Sequence, residues 1–485
     1  MVVLAETFYW HDYETWGADP MRDRPAQFAG IRTDMDLNII EEPLVIYCRP
    51  ADDVLPHPEA CLITGITPQK ALSEGLSEAE FIARIHEQMS RPGTCVAGYN
   101  NIRFDDEVTR QTLYRNFYDP YAREWQNGNS RWDVIDMVRL AYALRPEGIQ
   151  WPMNEEGFPS FRLEELTAAN GIAHEAAHDA MSDVYATIAM AKLIKEKQPR
   201  LFDYVFRNRG KRALGAMVDV DNMKPIFHVS SKFPARLGCC AMVVPLAMHP
   251  TNPNGVIVYD LREDPRAWVN LSVDEIRARI FVSNDDLPPG ASRIPLKVVH
   301  LNKCPILVES KILKTADPER LREFQLDGDQ LRQHLEWIRS VSGIGAKVTE
   351  VFGEQPSSET RDPDLMLYSG GFFSSSDKEK MDFIRQQPPE VLAELDLPFQ
   401  DARIPEMLFR YRARNYPDTM MEEEMERWER YRYQRLNQAG TGMLTFEEYF
   451  NRLQALASEP ERTAGELAIL QDLQLYGESI FPMDL

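Results

Sequence analysis

Strand-like and helix-like segments alternate through the first two hundred residues, which leaves few architectures open other than a layered α/β domain. Thr7–Glu14, rich in aromatic residues, reads as a strand, and two more follow around Ala29–Thr33 and Leu44–Cys48. Ser77-Glu78-Ala79-Glu80 has capping-box spacing and predicts the helix carrying Phe81, Ile82, Ile85 and Met89. Thr94–Gly98 reads as a short strand, Asp105–Phe117 as a helix, and Trp132–Leu144 as a strand end passing into a helix. The clearest helix runs from Ala180 to Lys197. Its Met181, Val184, Tyr185 and Ile188 fall at i, i+3, i+4 and i+7, and Pro199 lies just past its end.

Further along the pattern changes. Short strand-like runs at Ala241–Val244, Gly255–Tyr259 and Leu296–His300 are separated by Pro- and Asn-rich turns, which suits a small β-rich domain. Glu354–Glu359 reads as a linker, and beyond Asp377 the chain is helical in character and strongly charged, most of all over Met420–Arg435. No internal repeat is visible. A length of 485 residues accommodates about three domains, placed at 1–200, 201–353 and 354–485.

Several function classes recede on composition. The longest apolar stretch, Cys239–Met248, is interrupted by Pro245 and falls short of the ~20 residues a membrane span needs. The opening Met1–Glu6 lacks a basic leader, so a soluble cytoplasmic protein is expected, with no membrane partner. The six cysteines form no CxxC pair, and the adjacent Cys239 and Cys240 read as ordinary buried thiols. A net charge of −22 counts against a nucleic-acid partner at first sight, but a strand is held by a local groove, not by global charge.

The chemistry-bearing residues fall in three places. Asp12 and Glu14 sit two apart on the first strand and project from one face, an unfavourable arrangement on a buried strand unless a cation neutralises them. Hard oxygen ligands suit Mg²⁺ or Mn²⁺. The bland alternative is a strand end with two solvated acids. Asn101-Ile102-Arg103-Phe104-Asp105-Asp106 opens a helix, where a carboxylate could equally be a cap, and the residue types alone do not decide between Asp105 and Asp106. Asp183 shares a helix face with the small residues Ala180, Ala186 and Thr187, which would let that face approach the sheet closely, and His178 lies at the helix start.

Asp-x-Glu on a strand, Asn-x-x-Phe-Asp in the middle and His-x-x-x-x-Asp on a later helix, in that order, resemble the Asp-Glu-Asp-Asp exonuclease superfamily in its histidine subclass. The resemblance implies a ribonuclease H-like α/β fold. It places the metal ligands on Asp12, Glu14, Asp105 and Asp183, choosing Asp105 over Asp106, and the general base on His178. Two Mg²⁺ ions (Mn²⁺ can substitute) about 4 Å apart would activate a water and stabilise the leaving 3′ oxygen. His178, titrating near ~6.5, would take the proton and release a 5′-mononucleotide.

The likeness runs further. His11-Asp12-Tyr13-Glu14-Thr15, Leu62-Ile63-Thr64-Gly65-Ile66-Thr67-Pro68, Asn116-Phe117-Tyr118-Asp119-Pro120-Tyr121, His300-Leu301-Asn302-Lys303-Cys304-Pro305 and Tyr411-Arg412-Ala413-Arg414-Asn415 are similar to the bacterial exodeoxyribonuclease I family. That family has an exonuclease domain, an SH3-like domain and an α-helical C-terminal domain, and the resemblance implies processive 3′→5′ degradation of single-stranded DNA in repair and recombination by a monomer. Arg162 matches a position implicated in substrate contact, and Arg110 is a candidate phosphate contact. Lys224, Lys232, Lys303, Lys311 and Lys314 are candidates for a basic channel. The family also binds the acidic C-terminal tail of single-stranded-DNA-binding protein, at positions matching Arg145, Tyr204, Lys314 and Arg339. Lys314 stands where arginine is usual, which loses the bidentate fork. An exoribonuclease of the same superfamily and a non-catalytic scaffold with a degenerate core are the rival readings.

Overall fold

The computed structural model describes residues 6–174, 179–283, 285–326, 328–353, 361–438 and 442–482. The expected linker Glu354–Glu359 and the expected base His178 lie outside the described residues. The chain forms two compact units that cut across its sequence order. One gathers Met1–Arg131, His174–Tyr185 and Ser358–Leu485; the other gathers Trp132–Ala173 and Ala186–Ser357.

The first unit is built on a mixed sheet whose strands run β3 (Leu44–Tyr47), β2 (Pro25–Thr33), β1 (Thr7–Thr15), β4 (Thr94–Gly98), with β5 (Ser130–Asp133) beginning at the edge. β1 is central: it pairs antiparallel with β2, Asp12 opposite Ala29 and Glu14 opposite Gln27, and parallel with β4, Trp10 opposite Ala97. The two-residue period of β1 then sorts its side chains. Tyr9 and Tyr13 join Phe28 and Val96 against Phe81, Ile82, Ile85 and Met89 of the Glu78–Met89 helix, the four apolar positions expected from its spacing. Asp12 and Glu14 take the other face. The second strand is longer than expected, starting at Pro25, and the Asp105–Arg115 helix stops two residues early because Phe117 turns to φ +64°.

The C-terminal helices complete this unit. Tyr114 and Phe117 pack with Leu367, Met381, Ile384, Ile404, Met407 and Tyr411, while Trp16, Leu55 and Cys61 pack with Leu436, Phe446, Tyr449 and Leu473. Buried ion pairs join the same segments. Glu78 accepts from Arg24, Arg115 and Asn116 at 2.9 to 3.3 Å. Asp53, fully buried, accepts two hydrogen bonds from Arg414 at 3.1 and 2.7 Å, and Arg414 also reaches Asp364 at 2.7 Å.

In the second unit five antiparallel strands run in the order β10 (Ile306–Glu309), β6 (Ile226–Val229), β7 (Cys240–Met248), β8 (Gly255–Asp260), β9 (Leu296–His300). Ile226, Ala241, Val243, Val256, Val258, Val299 and Leu307 fill its core. β7 extends through Pro245, where sequence alone ends the strand near Val244. The ladder slips between Pro245 and Ala247, so a residue without an N–H is absorbed in a bulge. The two four-residue strands β6 and β10 carry too short a pattern to be read from sequence.

Arg414→Met should destabilise the protein by about 3–5 kcal/mol, because two buried carboxylates, Asp53 and Asp364, lose their shared guanidinium. Urea unfolding followed by tryptophan fluorescence measures this; a midpoint within error of the parent would mean the cluster contributes nothing.

Candidate active site

β1 presents Asp12 and Glu14 to a point where Asp183, on the helix Ala180–Lys197, meets them. One carboxylate oxygen from each of the three lies within 4.8 Å of the others. The small residues sharing Asp183's face permit this approach: Ala180 is fully buried. Asp105 arrives from the start of its own helix, its Oδ1 accepting the Tyr13 N–H at 3.1 Å, so the backbone between Asp12 and Glu14 holds it beside them. Thr109 Oγ1 fixes that helix start to β1, donating to the Asp105 carbonyl at 2.8 Å and lying 3.1 Å from the Tyr13 hydroxyl.

The structure separates the two adjacent acids that residue types left undecided. Asp106 is wholly buried and accepts from Arg123 and Arg131 at 2.9 Å each; burial pushes its pKa up, but the two guanidiniums outweigh this and hold it well below the carboxylate range. Asp106 is a structural anion. Asp105 instead adds its charge to that of Asp12 and Glu14.

Those charges act on one another. Burial, followed by the charges of Asp105, Glu14, Asp183 and Asp179, drives Asp12 well above its ordinary 3.8. Glu14, 9 % exposed, is pushed to about 8 by burial and then by Asp183, Asp105 and Asp179. Clustered oxygens with raised pKa values fit a hard divalent cation, which would supply positive charge. His174 is a residue the sequence reading passed over. Its Nε2 lies 2.5 Å from Asp183 Oδ1, and nothing in the local pattern distinguishes it from a loop histidine.

The remaining candidates divide by environment. Arg110 is 5 % exposed, its guanidinium bonded to Glu124 at 2.7 and 2.9 Å and to Tyr368 at 3.3 Å, so it faces carboxylate, not solvent. In the second unit, Arg162 precedes the Leu163–Ala169 helix with its side chain 73 % exposed, 3.9 Å from Glu165. Arg145 and Tyr204, with Met217, Val308, Lys311 and Ile312, line a cavity of about 740 Å³. Arg145 donates to Thr315 at 2.8 Å and Tyr204 to the Leu307 carbonyl at 3.1 Å. Lys314 is exposed on the Ser310–Thr315 turn, and Arg339 donates to the carbonyls of Asn222 and Met223; neither lines that cavity.

A sheet of this order with two carboxylates of its central strand meeting a third from a helix suits a metal-dependent nuclease, and residues 9–191 match the exonuclease family. Residues 209–354 match the exonuclease I SH3-like domain and 361–480 the exonuclease I C-terminal domain. Exodeoxyribonuclease I of Escherichia coli is 49% identical over 478 residues, covering 98% of each chain. The solved structure of a moderately thermophilic exonuclease I from Methylocaldum szegediense is 53% identical, covers 98% of this chain and 100% of its own, and superposes with a TM-score of 0.93. E. coli exonuclease I in complex with a dA16 oligonucleotide is 48% identical at the same coverage and the same TM-score. This chain belongs to the exodeoxyribonuclease I family and is an enzyme of that class.

The raised pKa of Glu14 fixes the sign of a measurable effect. The folded protein holds a proton that the unfolded chain releases near 4.5, so stability from this group falls as pH rises from there through about 8. Metal-free protein should therefore lose melting temperature over that window, and Glu14→Gln should recover a few degrees at the alkaline end. Thermal melts of both proteins in chelator across pH check it. A variant no more stable than the parent above about pH 8 contradicts the assignment.

Proposed function

We propose that this enzyme degrades single-stranded DNA processively from the 3′ end to 5′-mononucleotides, with Asp12, Glu14, Asp105 and Asp183 holding two Mg²⁺ ions, in the repair and recombination of DNA. The observation that carries this reading is the convergence of Asp12, Glu14 and Asp183 within 4.8 Å, where the acids raise one another's pKa values. When bound, the ions neutralise this cluster, acidify water and attract the phosphate oxygens.

The protein's own groups then have separable tasks. The Tyr13 N–H keeps Asp105 aimed at the site, and His174 orients Asp183. His178, five residues before Asp183 in sequence, takes the proton of the attacking water. Single-stranded DNA as substrate is supported by the oligonucleotide bound to the E. coli relative and by exposed aromatic rings in the first unit. Trp125 is 66% and Phe372 85% exposed, and Phe372 stands edge-on to Tyr121 at 6.3 Å. Such rings stack on bases of any sequence, as a strand that slides requires. Arg162, exposed just ahead of its helix, is the candidate substrate contact; Arg110, tied to Glu124, would have to leave that pair to meet a phosphate.

A second activity fits the 740 Å³ cavity of the second unit. Its lining of Met217, Val308 and Ile312 together with Arg145, and Lys314 on the adjoining turn, suits the acidic C-terminal tail of single-stranded-DNA-binding protein.

Asp12→Asn should lower cleavage of a 5′-labelled single strand in Mg²⁺ by at least about a thousandfold while retaining strand binding, because it removes a ligand and not the groove. Near-normal turnover in that variant, or shortening from the 5′ end in the parent, would overturn the reading. His178→Ala should flatten the rise of rate with pH through the imidazole range; an unchanged profile removes His178 from proton transfer. Arg145→Ala should weaken binding of a tail peptide about tenfold or more, measured by fluorescence anisotropy, with exonuclease activity on bare strands preserved.

A further inference from the structure

The face of the first sheet that carries Asp12 and Glu14 continues for two strands beyond them. Directly opposed residues of antiparallel neighbours share a face, so the register sets out two rows: Asp12, Ala29, Val45 and Glu14, Gln27, Tyr47. Ala29 and Gln27 are buried, whereas Val45, on the edge strand β3, is 42% exposed. With strands about 4.8 Å apart, Tyr47 stands about 10 Å from Glu14.

A cation sits at the end of the second row. The chain leaving the Pro68–Glu74 helix is tied to β3, the Leu76 N–H donating to the Tyr47 carbonyl at 2.9 Å. This brings the exposed Lys70 onto Tyr47, its ammonium 4.7 Å from the ring centre. The Tyr47 hydroxyl is the largest influence on Lys70 and favours its charged form; slight burial opposes it, and Glu74 and Asp179 add to it. Neither acid pairs with Lys70, nor does any other carboxylate among the described residues. An ammonium held on an aromatic ring is aimed without being neutralised. Asp179, just ahead of the helix of Asp183, also acts on Asp12 and Glu14, so Lys70 and the catalytic acids border the same space. Arg110, Arg123 and Arg131, by contrast, are each held by an acid.

We propose that Lys70 contacts a phosphate of the strand one nucleotide away from the one being cleaved, a role that rests on reading Asp12, Glu14, Asp105 and Asp183 as the cleavage site. An ammonium is a point charge on a flexible stem, which suits a phosphate that is replaced by its neighbour at each turnover. An internal phosphodiester and a phosphate on the strand's 3′ end share this chemistry, on opposite sides of the scissile bond. Such a contact adds affinity without entering the chemical step, so it acts on KM and not on kcat.

Steady-state cleavage of a short thymidine oligonucleotide by the full-length protein in Mg²⁺ tests the proposal on three strands. One ends in a 3′-hydroxyl, one is the same strand with an uncharged methylphosphonate at the linkage 5′ to the scissile one, and one ends in a 3′-phosphate. Cleavage of the first by the parent checks the function on which the proposal rests, before any variant is compared; its absence overturns both. Lys70→Gln should raise KM about three- to tenfold (read as Ki if the phosphate-ended strand inhibits instead of being cleaved), with kcat held within about twofold. KM should also become less steep in salt, and Lys70→Arg should restore both properties. A rise on the hydroxyl-ended strand that vanishes with the methylphosphonate assigns the contact to the internal diester. A rise confined to the phosphate-ended strand assigns it to the terminal phosphate. KM unchanged on all three strands, a rise undiminished by the methylphosphonate, or a loss that Lys70→Arg does not restore would each show that Lys70 meets no phosphate of the strand.

Discussion

Taking a carboxylate out of water is unfavourable wherever it happens, and the first unit does so repeatedly with two opposite resolutions. Glu78, Asp53, Asp106 and Asp364 are buried against guanidinium groups. For Glu78, burial raises the pKa, but Arg115 and Arg24 more than reverse it and hold the group at about 2. Asp53 and Arg414 are 361 residues apart in sequence, whereas Glu78, Asp106 and Asp364 find their arginines within 54 residues. Asp12 and Glu14 are buried against other carboxylates, and their pKa values move the other way. The contrast defines the site: arginine is abundant a few residues away, at Arg110, Arg123 and Arg131, and each is already bound to an acid other than the catalytic four. Those three guanidiniums are thus committed elsewhere, and the clustered catalytic acids suit a bound cation.

How far this was legible in the sequence depended on the range of the interaction. The two-residue period of β1 put Asp12 and Glu14 on one face without further information, and the 3.6-residue period put Phe81, Ile82, Ile85 and Met89 on another. Asp105 and Asp106 were beyond that reach. Both open the same helix, and only the positions of Arg123 and Arg131, neither of them patterned in sequence, show which acid is spoken for. Arg110 carried the same difficulty, since its partner Glu124 reads as one more surface acid until the chain is folded. The slip at Pro245 and the short strands β6 and β10 were lost because local propensity says little over four residues or across a proline.

The net charge of −22 also takes a different meaning in the folded chain. Many of the arginines are interior fasteners: Arg24, Arg115, Arg123, Arg131, Arg410, Arg414 and Arg435 are all buried or nearly so and ion-paired. Those arginines are not available to a strand, so global charge says little about where the remaining basic groups lie.

The division of the chain into interleaved units bears on how it is made. A ribosome delivers β1, β2 and the Glu78–Met89 helix first, yet many of the apolar residues packed with Phe117 and Trp16, and the guanidinium of Arg414 for Asp53, lie beyond residue 360. Domains are usually completed in the order in which they emerge. Here the earliest segment must wait, with part of its interior unfilled and Asp53 unmatched, while the whole of the second unit is synthesised and folded. The last helices to leave the ribosome close the first structure begun, so the unit that carries the catalytic carboxylates is assembled only once nearly the entire polypeptide exists.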